Sequence, residues 1–269
     1  MLKFLHIITA ATPRKEIHDL GLIPFIQSLE TLPHLRVRWL VNMDCIPYYF
    51  TKQEIMDSIK NIKRNVPANV ELHFFEKHEN FGFSKAGRDL FTYCADTLPQ
   101  GEHIFMWLED DWCIENPDQA KKNILTFMRN PQFEYCGAKV FAYGIRDYSR
   151  QLRVTGAPNL FRESLFRGYL EVTEQKPIDP ELALQKAGEI IWDQSLNEER
   201  HRRAQEWTDA GQTPPRKWWR WWVAPPRDKL LIAHPPTQCR DLGVDWRKER
   251  DIQKTNSFER KFNTGWIQE

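Results

Sequence analysis

The sequence predicts the α/β class, a mostly parallel sheet with helices on both faces. Strand-like and helix-like segments alternate four times over about the first 110 residues, the pattern of parallel strands joined by crossover helices. Residues 4–9 are an apolar, β-branched run of the kind that fills a buried strand. Notable loops follow the first, second and fourth strand-like runs, and in such sheets ligands bind beyond the carboxyl ends of the strands.

Each element has its own reason. The strand at 4–9 is broken by Thr12-Pro13-Arg14. Ile17, Leu20, Leu22, Ile23, Ile26 and Leu29 then recur at near-helical spacing, with Pro24 disturbing the middle. Residues 37–41 form a second strand that ends at Asn42-Met43-Asp44. Ile55, Ile59 and Ile62 mark a helix. Residues 70–75 alternate as a third strand. A loop at 80–84 leads into a helix over 85–98 with Leu90, Phe91 and Cys94 inward. Residues 103–108 are the fourth strand.

Beyond Pro117 the pattern changes. A helix is expected over 120–128 and a strand over 135–141. A turn at 156–159 precedes Leu160-Phe161 and a short helix. Residues 179–207 read as a long, polar surface helix. Phe258, Phe262 and Trp266, at four-residue spacing, suggest a final docking helix or arm. The expected organisation is one continuous domain in two halves, 1–115 and 116–250, with an arm at 251–269.

Composition narrows the class. The 269 residues are enough for a sizeable core. Charged residues make up 28% and balance to +1, so no global field points to nucleic acid or membrane. Locally, Lys139, Arg146, Arg150, Arg153, Arg162 and Arg167 face only Asp147 and Glu163, a surface suited to an anionic ligand or simply solvated. Five scattered cysteines with no CxxC spacing argue against a disulfide framework or a zinc site and for a reducing compartment. The apolar start is short and lacks a cleavage pattern, and no run approaches the roughly 20 residues of a bilayer span. The expectation is a soluble, cytoplasmic protein without a membrane partner.

The most informative stretch is Phe105-Met106-Trp107-Leu108-Glu109-Asp110-Asp111-Trp112. A buried strand delivers three adjacent carboxylates. They repel one another unless a cation or a proton settles them. Such a cluster can hold a hard divalent metal beside a phosphate, or it can be an acidic turn.

In this order the pieces resemble a GT-A-fold glycosyltransferase of the family 2 style. The first strand with Thr12-Pro13-Arg14 looks like that family's opening strand and loop. Arg38-Trp39-Leu40-Val41-Asn42-Met43-Asp44 is similar to its second strand. Asn80-Phe81-Gly82-Phe83-Ser84-Lys85-Ala86-Gly87-Arg88 looks like its Asn-x-Gly loop and basic helix. The acidic triplet stands where its DxD-type motif stands. The likeness covers roughly residues 4–112 and thins afterwards. Two departures are Asp89, where family members usually carry Asn, and Glu-Asp-Asp in place of Asp-x-Asp.

The resemblance implies a GT-A, Rossmann-like domain with a C-terminal acceptor-side region. It implies transfer of a sugar from a nucleotide-diphosphate donor, a UDP-sugar first, with Mn²⁺ or Mg²⁺ acting on the leaving diphosphate. Asp111 is the first choice of metal ligand, Asp110 a ligand or ribose contact, and Glu109 a supporting group. His234 is a candidate to complete the metal or diphosphate site. Thr9, Ala10 and Thr12 would line the donor, and Asp44 would accept from base or ribose or else cap a turn. Asn80 belongs to the donor loop, and Arg14, Lys85 and Arg88 are cations for the diphosphate. Inversion requires a base, with Asp193 first and Glu199 second; retention requires none.

The acceptor side is suggested by Pro158 and Asn159 and by Trp218-Trp219-Arg220-Trp221-Trp222. As a strand this cluster would put Trp219 and Trp221 on one face. They would stack on a sugar, stack on an unpaired or flipped base, or pack in a core. Acceptors in play are a glycan, a protein or a hydroxymethylated base in DNA. Rival readings are a nucleotidyltransferase, which lacks its Gly-rich loop here, and a non-catalytic carbohydrate- or DNA-binding module.

Overall fold

The computed structural model describes residues 2–32, 34–45, 50–77, 82–131, 133–137, 158–212, 231–233, 239–243 and 246. Asn80, His234, the Trp218–Trp222 cluster, the basic stretch from Lys139 to Arg153 and the 251–269 arm lie outside these residues. Of Asp193 and Glu199 only the backbone is described.

The first half follows the expected alternation. Strand β1 (Lys3–Ala11) is followed by a short turn α1 (Lys15–Ile17), a π-helical turn (His18–Leu22), helix α2 (Ile23–Ser28) and a 3₁₀ turn (Leu29–Thr31). The single helix expected here is therefore broken in character. Pro24 sits in the first turn of α2, directly after the π-helical turn in which Ile23 N–H bonds the His18 carbonyl. Then come β2 (Leu35–Asp44), α3 (Lys52–Arg64), β3 (Val70–Lys77), α4 (Gly82–Asp96) and β4 (Glu102–Trp107). A reciprocal capping box fixes the start of α3: Glu54 N–H donates to the Thr51 hydroxyl at 3.2 Å and Thr51 N–H to the Glu54 carboxylate at 2.8 Å. Ile55, Ile59 and Ile62 then face the sheet.

The second half contributes β5 (Trp112–Ile114), α5 (Pro117–Arg129), β6 (Phe133–Gly137), β7 (Asn159–Phe161), α6 (Glu163–Thr173), α7 (Pro180–Asp209), β8 (Leu231–Ala233) and β9 (Cys239–Asp241). Strand β6 is described as far as Gly137, and residues 138–141 of the expected strand lie outside the described residues. Helix α7 is less of a surface helix than its polarity suggests, because Ala183, Leu184 and Ala187 are fully buried against α6. No described helix is long and apolar enough to cross a membrane.

Seven strands form one sheet in the order β3-β2-β1-β4-β7-β6-β8, and β5 pairs with β9 in a small second sheet. The β1–β2, β2–β3 and β1–β4 pairs are parallel, and β7 runs antiparallel to both β4 and β6. The mostly parallel α/β class is therefore the observed one. Helices α2, α3 and α5 bury Phe25, Ile62 and Phe127 on one face; α4, α6 and α7 bury Phe91, Phe166 and Leu184 on the other. Strands covered on both faces need apolar side chains in both directions, which explains the continuous run in β1.

The chain winds from β1 outward to β3, then crosses to β4 on the opposite side of β1. That reversal marks a switch point beyond the carboxyl ends of β1 and β4, where such sheets usually form a ligand crevice.

Candidate active site

The crevice is organised by one buried ion pair. Arg14, just past β1, donates Nε to Asp110 Oδ2 at 3.2 Å and Nη2 to Asp110 Oδ1 at 2.5 Å. Thr12 adds its backbone N–H at 3.0 Å and its hydroxyl at 3.3 Å to the same Oδ2, and His18 Nε2 lies 3.2 Å from it. The backbone prepares this geometry, because Ile17 and His18 N–H both bond the Arg14 carbonyl at 3.0 Å and begin the helical turn there. Arg14 and Asp110 are 7% and 3% exposed, so the pair sits in low dielectric.

The electrostatics follow. Burial pushes the Asp110 carboxyl up, but the Arg14 guanidinium and the His18 contact hold it well below the usual carboxylate range. Burial likewise opposes the charge on Arg14, and the charges of Asp110 and Asp111 more than compensate. Glu109 is the converse case. Desolvated at a partly buried position and next to Asp111, with Asp179 and Glu181 adding negative charge, its carboxyl is driven well above the usual range despite a 3.2 Å bond from Trp107 Nε1. The repulsion within the triplet is eased by the internal cation at Asp110, while its neighbours make the charged form of Glu109 unfavourable.

Asp111 is the third carboxylate, with a side chain 15% exposed and an oxygen 3.5 Å from Arg14 Nη2. Its backbone carbonyl accepts from Leu242 N–H at 2.8 Å, which ties the C-terminal segment to the triplet. At the end of β2, Asp44 accepts from Asn42 Nδ2 at 2.9 Å. Burial, aided by the charge of Asp110, pushes the Asp44 carboxyl up to about 6.

The other expected residues divide. Thr9 is fully buried and its hydroxyl accepts from Trp39 Nε1 at 3.1 Å, so it faces the core. Ala10 packs in the core on the α4 side. Thr12 and Arg14 are in the crevice. Lys85 lies half-buried on α4. Arg88 donates to the Glu174 carbonyl at 2.9 Å and so serves the end of α6. Pro158 is buried, and Asn159 on β7 pairs with Trp107, beside the strand that carries the triplet. Asp193 and Glu199 lie on α7, and Asp193 is about 20 Å along the helix from Asp179 at 1.5 Å per residue. Asp110, expected to meet metal or ribose, has its oxygens engaged by Arg14, Thr12 and His18.

Five participants escaped the sequence reading. His18 stands four residues after Arg14, a helical spacing that places both on one face and was available as a signal. Asp179 and Glu181 open α7, and nothing in the local pattern connects them to Glu109. Trp246 and Glu16 meet across 230 residues, a contact no spacing announces.

Among the described residues no three His, Cys, Asp or Glu side chains converge to hold a metal. A caged metal therefore does not fit them. A divalent cation arriving on a diphosphate needs only one or two protein carboxylates, because phosphate and water supply the remaining ligands. Asp111, at the strand end with its side chain 15% exposed, fits that lesser requirement.

Neither a family model nor a curated protein matches the chain. Among solved structures it is similar to S. aureus TarS 1–349, at 15% identity over 69% of this chain and 55% of that one, TM-score 0.43. The same protein in complex with UDP gives 14% identity, 68% and 54% coverage and a TM-score of 0.45. The mannosyltransferase PcManGT from Pyrobaculum calidifontis, in complex with GDP-Man and Mn²⁺, gives 13% identity, 68% and 50% coverage and a TM-score of 0.45. The matched region thus spans about half the length of these solved chains. Strand order and register, not this likeness, define the fold.

Proposed function

We propose that the chain is a glycosyltransferase that moves a sugar from a nucleoside-diphosphate donor to an acceptor hydroxyl. The observation that carries the reading is the pairing of cation and carboxylates at the switch point. Arg14 is locked by Asp110, yet its Nη1 donates to no described residue, so a fixed guanidinium donor is left for an anion. Asp111 lies beside it and Asp44 closes the β2 side. That arrangement suits a diphosphate alongside Arg14 and Asp111, with the nucleoside toward Asp44.

A divalent cation held by Asp111 would neutralise charge building on the leaving diphosphate. The chain's own residues do the rest. Arg14 orients the diphosphate through a charge-assisted bond. Asp44, ionised above about 6, accepts from ribose or base. Burial and the charge of Asp111 disfavour a further negative charge at Glu109. For an inverting transfer, Asp179 and Glu181 are the described carboxylates that the fold brings into electrostatic reach of Glu109. They join Asp193 and Glu199 as base candidates. A glycan or a hydroxymethylated DNA base remains the proposed acceptor, on the strength of the Trp/Arg cluster in the sequence.

The test is release of nucleoside diphosphate from a panel of UDP- and GDP-sugars with Mn²⁺ or Mg²⁺. Metal-dependent release that Arg14→Ala abolishes supports the reading. No nucleotide binding by any donor, with or without metal, ends it.

A further inference from the structure

The C-terminal segment enters the same crevice from outside. Strand β9 pairs antiparallel with β5, directly after the triplet. Leu242 N–H binds the Asp111 carbonyl, and Trp246 N–H binds the Leu242 carbonyl at 3.2 Å. The Trp246 indole lies over the Arg14 guanidinium, 5.3 Å from its carbon to the ring centroid. The indole N–H donates to Glu16 at 2.6 Å, and the ring stacks on buried Phe50 with centroids 6.1 Å apart. Arg14 is thus held from two sides, by the Asp110 carboxylate along one edge and by an aromatic face above.

We infer that Trp246 is a positioning residue of the donor site. It fixes the Arg14 guanidinium so that Nη1 meets a diphosphate in one orientation. Cation–π contact and a carboxylate clamp together restrict a side chain that otherwise loses much rotamer entropy on binding an anion. Glu16 sets the indole by its hydrogen bond, and Phe50 backs the ring. The inference rests on reading the crevice as a nucleoside-diphosphate site.

Its consequence is specific to the diphosphate. Residues that shape the nucleoside end affect nucleoside and nucleotide alike; a residue that acts through Arg14 affects the nucleotide more. The experiment compares the affinities of UDP and uridine, with GDP and guanosine in parallel, by titration calorimetry of the full chain. Wild type is expected to prefer the diphosphate. Trp246→Leu, which keeps bulk without a π face, is expected to weaken the diphosphate by about tenfold and leave the nucleoside within about twofold. Trp246→Phe, which keeps a face over Arg14, is expected to retain most of the preference.

Equal losses for nucleotide and nucleoside, or unchanged affinity in Trp246→Leu, would overturn the inference while the site reading stands. If wild type binds no nucleoside diphosphate, both fall together. Should Trp246→Leu fail to fold, the Phe variant decides, since loss of the preference there with folding intact also overturns it.

Discussion

Arg14 grips Asp110 through two donors, Nε at 3.2 Å and Nη2 at 2.5 Å, and thereby joins the end of β1 to the end of β4. Removing one partner of a buried pair leaves the other charge without compensation, at a cost of about 3–5 kcal/mol. Arg14→Met and Asp110→Leu should each lower the urea midpoint accordingly. The double variant should recover part of the loss, because the two charges leave together. Strictly additive losses would show that the pair is not what joins the strands.

Asp111 is more exposed than Asp110, and an oxygen of it lies 3.5 Å from Arg14 Nη2. Asp111→Asn should lower the thermal midpoint less than Asp110→Leu does and lower metal-stimulated donor turnover by roughly a hundredfold. Retained turnover and retained stimulation by Mn²⁺ would remove Asp111 from the cation site.

Asp44 gives the site a pH dependence. Its carboxyl is raised to about 6 by burial, so it is largely neutral at pH 5 and ionised at pH 7. An acceptor of ribose or base hydrogen bonds works best ionised. Nucleoside affinity should therefore rise from pH 5 to 7 with a midpoint near 6, and Asp44→Asn should flatten the profile. A nucleoside is the right probe, because phosphate has its own ionisation near pH 6. An unchanged profile in the variant would place the titrating group elsewhere.

A second titration belongs to the fold. His6 on β1 lies 3.0 Å from His103 on β4, both ring to ring in the core. Burial and the neighbouring His103 and Arg38 push the His6 imidazole down to about 3. The unfolded chain takes up a proton near 6.5 and the folded chain does not. The neutral pair thus contributes stability that is complete above pH 6.5 and lost as pH falls toward 3, by up to about 1.4 kcal/mol per unit. Stability measured by urea unfolding between pH 7 and 5 should fall more steeply in wild type than in His6→Gln. Equal slopes would mean that His6 does not carry the effect.

What could be read from the sequence, and what could not, separates by range. The β1–β4 strands and the α3 helix were legible, because apolar runs and the Ile55-Ile59-Ile62 spacing are local. The gathering of the β1, β2 and β4 ends was legible too, since alternation alone implies it. The partner of the triplet was not. A cation was expected, and Arg14 supplies it from within the chain, across 96 residues. Thr9 misled because a polar residue at a strand end looks like a ligand contact, whereas Trp39 needed a buried acceptor. Arg88 misled for the same reason in reverse, since the α6 carbonyl that takes its donor is set only by helix packing.

Gly87 shows how that packing reaches the site. A Cβ placed there would sit 2.6 Å from Pro180 Cγ, 3.1 Å from the Tyr169 hydroxyl and 3.6 Å from the Trp107 ring. Pro180 belongs to the ring-constrained first turn of α7, between Asp179 and Glu181, and Trp107 holds Glu109. Neither neighbour can yield without moving a carboxylate of the crevice. Gly87→Ala gains helix propensity in α4 but overpacks this junction, for a net cost of about 1–3 kcal/mol. Turnover should fall beyond what reduced folding explains, because α7 shifts its first turn away from β4. If the variant is as stable and active as wild type, the α4–α7 junction is looser than this contact requires, and Asp179 and Glu181 lose their claim on the site.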